Sequence, residues 1–378
     1  MTLLGERTWV RGFTALCAVL LLTFTAFGAA IPVLPRLITH DLHDSGLAVG
    51  AVFTVSAIAA LLGRPYAGRF AQRTGARTVI ACGAGAAALT GALYPLAASW
   101  GIFALLAVRV LMGLAEAAVF TAGSLWVVAV VPPGRRGQLV GWYGLAMWGG
   151  WTLGPVLGDA LRRSAGYSAV WALHVVLPLA AVLIATRLPN RELGSGPVSR
   201  RLLPRSAVLP GTALALAAVG YNALAAFVVL HLDHRGLGGG SLALGLFGTA
   251  YILVRLVFGR LPDRVGPALI ATACGLSEAV GLILIAIGPA LWLVAVGALI
   301  MGAGFTLLYP SLALLVIDRS DEAERGAALG AYTSFWDLGL GVAGLVTGAV
   351  ATGFGYEAVF LIAALAALAS ATVGRLAR

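Results

Sequence analysis

Six polar side chains interrupt the long apolar runs of this chain: Arg109, Glu116, His174, Asn222, Glu278 and Asp337. Lipid penalises each of them, so each is a candidate for pairing, proton transfer or substrate contact. Arg109 and Glu116 stand seven residues apart. On a helix that spacing puts them on nearly one face, about 10 Å apart along the axis. A carboxylate so placed suits proton uptake and release. Asp337, directly after Trp336, is the matching candidate in the second half of the chain. The competing reading for either acid is a satisfied hydrogen bond between helices. A metal centre is not indicated. His40 and His43 sit beside Asp41 and Asp44 in what reads as a solvated loop, and Cys17, Cys82 and Cys274 lie in apolar runs without ligand spacing. No Ser–His pairing or clustered acids point to an enzyme.

Those side chains need elements that can hold them in lipid. Of 378 residues, 60% are hydrophobic and 11% charged, too few charges to cover a soluble domain of this size. Runs long enough to cross a bilayer fall near 12–34, 46–66, 78–98, 101–128, 138–160 and 167–187. A second set falls near 207–231, 241–260, 267–288, 290–317, 326–351 and 356–375. Arg7 and Arg11 before the first run resemble a signal peptide, but that run is long enough to span and reads as an uncleaved first helix. The net charge of +10 comes from 25 basic residues, all arginine, and they sit in short loops rather than in a nucleic-acid-binding patch. With the N-terminus inside, only Arg36, Arg162, Arg163 and Arg235 fall outside and Arg109 lies within a span, leaving twenty inside (25 less five). That asymmetry predicts that both termini are cytoplasmic. The polar stretch 189–205 reads as a linker between a bundle at 1–188 and a bundle at 206–378.

The halves repeat. Residues 62–75 read LGRPYAGRFAQRTG and residues 253–266 read LVRLVFGRLPDRVG. At a shift of 191, Arg64, Gly68, Arg69, Arg73 and Gly75 match Arg255, Gly259, Arg260, Arg264 and Gly266. At a shift of 189, Arg136, Gly137, Gly141 and Tyr143 match Arg325, Gly326, Gly330 and Tyr332. Parallel six-helix repeats enclosing a site near the midplane are a transporter architecture.

On these residues the chain resembles the major facilitator superfamily along its whole length, and within it the twelve-helix drug and metabolite efflux branch. The family loop G-x-x-x-D-R-x-G-R is matched after the eighth span by Gly259, Asp263, Arg264 and Gly266. After the second span it is matched by Gly68, Gln72, Arg73, Gly75 and Arg77, with Gln72 in place of the acid. Asp318, ending the tenth span, is expected to pair with Arg264. The fourth span carries the family's arginine followed by glycine, Arg109 and Gly113, and the resemblance implies proton coupling. The fifth carries G-x-x-x-G-P-x-x-G-G as Gly150, Gly154, Pro155 and Gly158, with Asp159 at the last glycine. In the family this pattern marks exporters that exchange substrate for protons.

The resemblance implies an all-α membrane protein of twelve transmembrane helices in two pseudo-symmetric six-helix bundles. Spans one, four, seven and ten line a central cavity. Tyr221, Asn222, Phe305, Tyr309 and Trp336 are then candidates for the substrate, Arg109, Glu116 and Asp337 for proton coupling. Glu278 and His174, on spans expected at the periphery, read as structural. The expected activity is proton-driven efflux of a small amphipathic compound by alternating access, from a monomer in the bacterial cytoplasmic membrane. It needs no cofactor, metal or nucleic acid and draws on the proton gradient. An uptake symporter for a sugar or organic acid is the alternative, and a receptor or membrane enzyme ranks below it.

Overall fold

The computed structural model describes residues 3–130, 136–189, 204–321 and 324–377, and of these 3–8, 136, 137, 326 and 327 as backbone only. Most of the expected linker, 190–203, lies outside the described residues. In lipid every backbone N–H and C=O must find its partner within the segment, so apolar runs of this length become helices. In chain order these are α1 (Leu3–Ala30), α2 (Leu34–Arg36) with a π turn over Leu37–Asp41, α3 (Gly46–Thr74), α4 (Ala76–Trp100), α5 (Ile102–Val130) and α6 (Arg136–Ala185). Then come α7 (Arg205–His234), α8 (Gly240–Phe258), α9 (Leu261–Val265), α10 (Pro267–Ile287), α11 (Leu291–Asp318) and α12 (Arg325–Leu376).

Ten of these are long and apolar enough to cross a membrane. Two are too long to cross once. The apolar parts of α6 and α12 run 48 and 49 residues, about 70 Å each, against a hydrocarbon core of about 30 Å. Each breaks at a glycine in the left-handed region, Gly166 (φ 77°) and Gly355 (φ 82°). The break makes two crossings of each, so the twelve expected spans are present.

Contacts divide the chain into two compact units, Met1–Val33 with Ile58–Gly196, and Leu34–Ala57 with Pro197–Arg378. In the first, α1 packs along α6, and α4 packs on α5 and α6. In the second, α7 packs along α12, and α10 packs on α11 and α12. The plan is the same, and so are its details. Tyr143 donates its hydroxyl to the Phe120 carbonyl at 2.7 Å, and Tyr332 donates to the Tyr309 carbonyl at 2.8 Å, each bridging 23 residues. Gly75 (φ 88°) and Gly266 (φ 109°), matched in the sequence repeat, both take the left-handed turn that separates one helix from the next. Gly166 and Gly355 stand 189 apart (355 less 166), the offset that also relates the two tyrosines.

Small residues set the helix spacing within each unit. A Cβ on Gly154 would lie 2.6 Å from the Gly28 Cα and the Thr25 carbonyl oxygen, so α6 and α1 meet backbone to backbone. In the second unit Gly339 of α12 meets Ala215 of α7 in the same way. Further along α12, Gly344 and Gly348 receive Gly46 and Gly50 from the first half of α3. Thr54 donates to the Gly341 carbonyl at 2.7 Å, and Thr352 accepts from the Leu47 N–H at 3.0 Å.

Candidate functional site

In the first unit α5 carries Arg109, which is buried. Its Nη1 donates to the Met112 sulfur one turn on, at 2.8 Å. Glu116, two turns on, is half-buried. The second part of α6, after the break at Gly166, carries His174. His174 is fully buried and its Nε2 lies 3.2 Å from the Thr90 hydroxyl. That hydroxyl already donates to the Ala87 carbonyl at 2.6 Å, so Nε2 is the donor toward it. The rings of Phe27 and Tyr94 pack on the imidazole at 5.9 and 5.4 Å between centroids.

In the second unit three of the five substrate candidates converge. Tyr221 of α7 stacks on Phe305 of α11 at 6.0 Å, and Trp336 of α12 packs on Tyr221 at 5.6 Å and on Phe305 at 5.7 Å. Two rings that the sequence reading passed over complete the group. Phe247 of α8 lies 5.8 Å from both Tyr221 and Phe305, and Tyr251 lies 6.4 Å from Phe305. Their spacing of four on one helix was the available signal. Phe247, Tyr251 and Phe305 are buried while Tyr221 and Trp336 are half-buried, so the latter two form the accessible edge. Asp337, the residue after Trp336, is 2% exposed.

The other two candidates are engaged elsewhere. Asn222 accepts a hydrogen bond from Thr347 at 3.0 Å, which ties α7 to α12. Tyr309 is 41% exposed, meets the Thr333 hydroxyl at 3.0 Å and packs on Tyr332.

The motif residues divide likewise. Gly75 and Gly266 are required by their left-handed backbone, whereas Gly68 has only the Thr121 methyl nearby at 3.9 Å. Gly259 instead faces its own helix, at the Arg255 carbonyl. Gln72, Arg73, Asp263, Arg264 and Asp318 are exposed and Arg77 half-buried. Among the described residues no ion pair joins Arg264 to Asp318; both side chains reach solvent, where such a pair contributes little. Gly150, Gly154 and Gly158 all face α1, where Cβ atoms would collide with Phe24, Thr25, Gly28 and Ala29. Asp159, which departs from the family's glycine, is buried and held by Arg162 at 3.2 Å and Arg163 at 2.8 Å. One further pair was not anticipated. Arg36 of α2 grips Asp233 of α7 through two bonds, Nε at 2.6 Å and Nη2 at 2.9 Å.

Twelve apolar crossings in two units of one plan, each with ionisable groups buried inside it, define a polytopic membrane protein of the transporter class. The Major Facilitator Superfamily sequence model matches residues 16–248 and 211–378, and the chain belongs to that family. It is 32% identical over 349 residues to the MFS-type transporter YhhS of Escherichia coli K12, covering 90% of this chain and 86% of that one. It is 34% identical over 370 residues to an MFS-type transporter of Salmonella typhimurium, covering 94% of each. Among solved structures it superposes on the nucleoside transporter NupG with a TM-score of 0.77 at 16% identity, covering 97% of this chain and 98% of that one. On the human organic anion transporter MFSD10 the TM-score is 0.72 at 19% identity, covering 96% and 99%. These likenesses establish the fold. The chain is a transporter, not an enzyme.

Proposed function

We propose that this transporter exports a small amphipathic compound in exchange for protons. It works by alternating access as a monomer, with both termini in the cytoplasm and the proton gradient as its energy source. The observation that carries the reading is the ring group of Tyr221, Phe305 and Trp336 with Asp337 buried next in the chain. Aromatic faces suit a lipophilic solute, and a buried acid on the residue after Trp336 suits exchange of a proton for a polar or cationic end. Arg109 and Glu116 on α5 supply a second charged position on the fourth span. An uptake symporter for sugars fits less well, because Asn222, the amide best suited to sugar hydroxyls, is buried with its carbonyl oxygen against Thr347.

Proteoliposomes with an imposed pH gradient test this, with ethidium as the probe. Wild-type protein is expected to drive ethidium across the membrane when the gradient is applied. The double variant Glu116→Gln, Asp337→Asn should lose the pH-driven component. Full pH-driven movement by that variant excludes the assignment of these two acids, and absence of any ethidium movement by the wild type overturns export of amphipathic cations.

A further inference from the structure

Five acidic or arginine side chains are buried among the described residues: Arg36, Arg109, Asp159, Glu278 and Asp337. Arg36 and Asp159 lie in ion pairs, and Arg109 and Asp337 belong to the proposed site. Glu278 of α10 is left. It is 0% exposed, and both carboxylate oxygens are shut off from solvent with no hydrogen-bond partner among the described residues. The structure shows what it presses on. Oε1 occupies the space over Gly220 of α7, where a Cβ would collide with it, and Leu282 closes the same space at 3.0 Å. Only glycine lets α7 sit this close to the acid. The next two residues of α7 are Tyr221, in the ring group, and Asn222, bonded to Thr347.

An ionised carboxylate without a donor in an apolar interior costs several kcal/mol, whereas a neutral carboxyl group costs far less. The helices α7, α9, α11 and α12 pack against α10, and among the described residues no hydrogen bond from them reaches either carboxylate oxygen of Glu278. Its titratable neighbour is Cys274, one turn earlier on α10. Nothing in this arrangement can therefore hold the charge in place. For Glu278 to ionise, α7 must draw back at Gly220 and admit water, to which the carboxyl proton passes.

We propose that Glu278 is a proton-binding site that couples its protonation to the position of α7 at Gly220, and through Tyr221 to the substrate rings. This rests on the proton-exchange reading above and adds a carboxylate that reading leaves out. The neutral acid favours the packing seen here. Raising the pH shifts the population toward an arrangement with α7 withdrawn and the carboxylate hydrated.

Amide hydrogen exchange of the detergent-solubilised full chain tests this without any substrate. After correction for the intrinsic pH dependence of exchange, segment 213–226 of the wild type should exchange severalfold faster at high pH than at low. In Glu278→Gln, neutral at every pH, that dependence should vanish. A protonated-carboxyl band in the infrared spectrum of the wild type should be lost in the same variant. Should the variant fail to fold, the wild-type exchange alone decides, because an α7 whose corrected exchange ignores pH overturns the proposal. So does identical pH dependence in wild type and variant. Failure of the two readings is separable. If ethidium does not move but α7 responds to pH through Glu278, only the export reading falls. If Glu278→Gln carries ethidium as well as the wild type under the same gradient, only the coupling proposal falls.

Discussion

Arg36 and Asp233 show how much one buried charge depends on its partner. The arginine side chain is 7% exposed and the aspartate 25%, and two bonds hold the fork of one to the carboxylate of the other. Bidentate geometry of this kind is stronger than a surface ion pair and fixes orientation as well. Asp233→Asn is expected to destabilise the folded protein by about 2 kcal/mol, because it removes the negative charge that faces a cation largely withdrawn from water. The double variant Arg36→Gln, Asp233→Asn should recover part of that loss. Thermal unfolding of the four proteins in detergent provides the cycle. Additive losses would mean that the two side chains are not coupled. The sequence displays both residues but not their meeting, since 197 positions separate them. Its reading of Arg36 as a loop charge rested on chain position alone. The ring group was more legible. Tyr221, Phe305 and Trp336 stand out as aromatics in apolar runs, and only Phe247 and Tyr251 needed the fold to join them.

At the level of the helix, glycine does two kinds of work. Gly75, Gly166, Gly266 and Gly355 supply left-handed turns between helices. Gly154 and its neighbours on α6 supply contact, and here the effect of a methyl group can be foretold by position. At Gly154 a Cβ would meet backbone atoms of α1 at 2.6 Å, and backbone cannot move aside like a flexible side chain. Gly154→Ala is expected to cost about 2 kcal/mol through overpacking. Gly144 lies on the same helix with nothing within 4 Å of its would-be Cβ. Gly144→Ala should stabilise by about 0.5–1 kcal/mol through helix propensity. The two melting curves should move in opposite directions, and a common shift would contradict the contact assigned to Gly154. The G-x-x-x-G spacing is plain in the sequence, yet spacing names no partner. That α1 receives this face, while Gly344 and Gly348 receive α3, depends on packing geometry that the spacing does not contain.

Across the whole molecule, the internal repeat and the arginine asymmetry lead to separate conclusions. The repeat is realised in the matched turns at Gly75 and Gly266 and the matched tyrosine bonds of Tyr143 and Tyr332. The arginine asymmetry concerns orientation in the membrane. All four arginines assigned to the outside are engaged within their own units. Arg36 binds Asp233, Arg162 and Arg163 bind Asp159, and Arg235 donates to the Ala286 carbonyl at 3.0 Å. Retention of positive charge on the cytoplasmic side acts on exposed cations near the ends of spans during insertion, and on the other assigned side exposed Arg69 and Arg73, toward the end of α3, fit that role. Thr74 and Ser164 are both exposed and lie on opposite assigned sides. In a background freed of Cys17, Cys82 and Cys274, a membrane-impermeant maleimide added to intact cells should label Ser164→Cys. Thr74→Cys should react only after the membrane is opened. The reverse pattern would invert the molecule in the bilayer, and with it the direction in which a proton gradient could drive export.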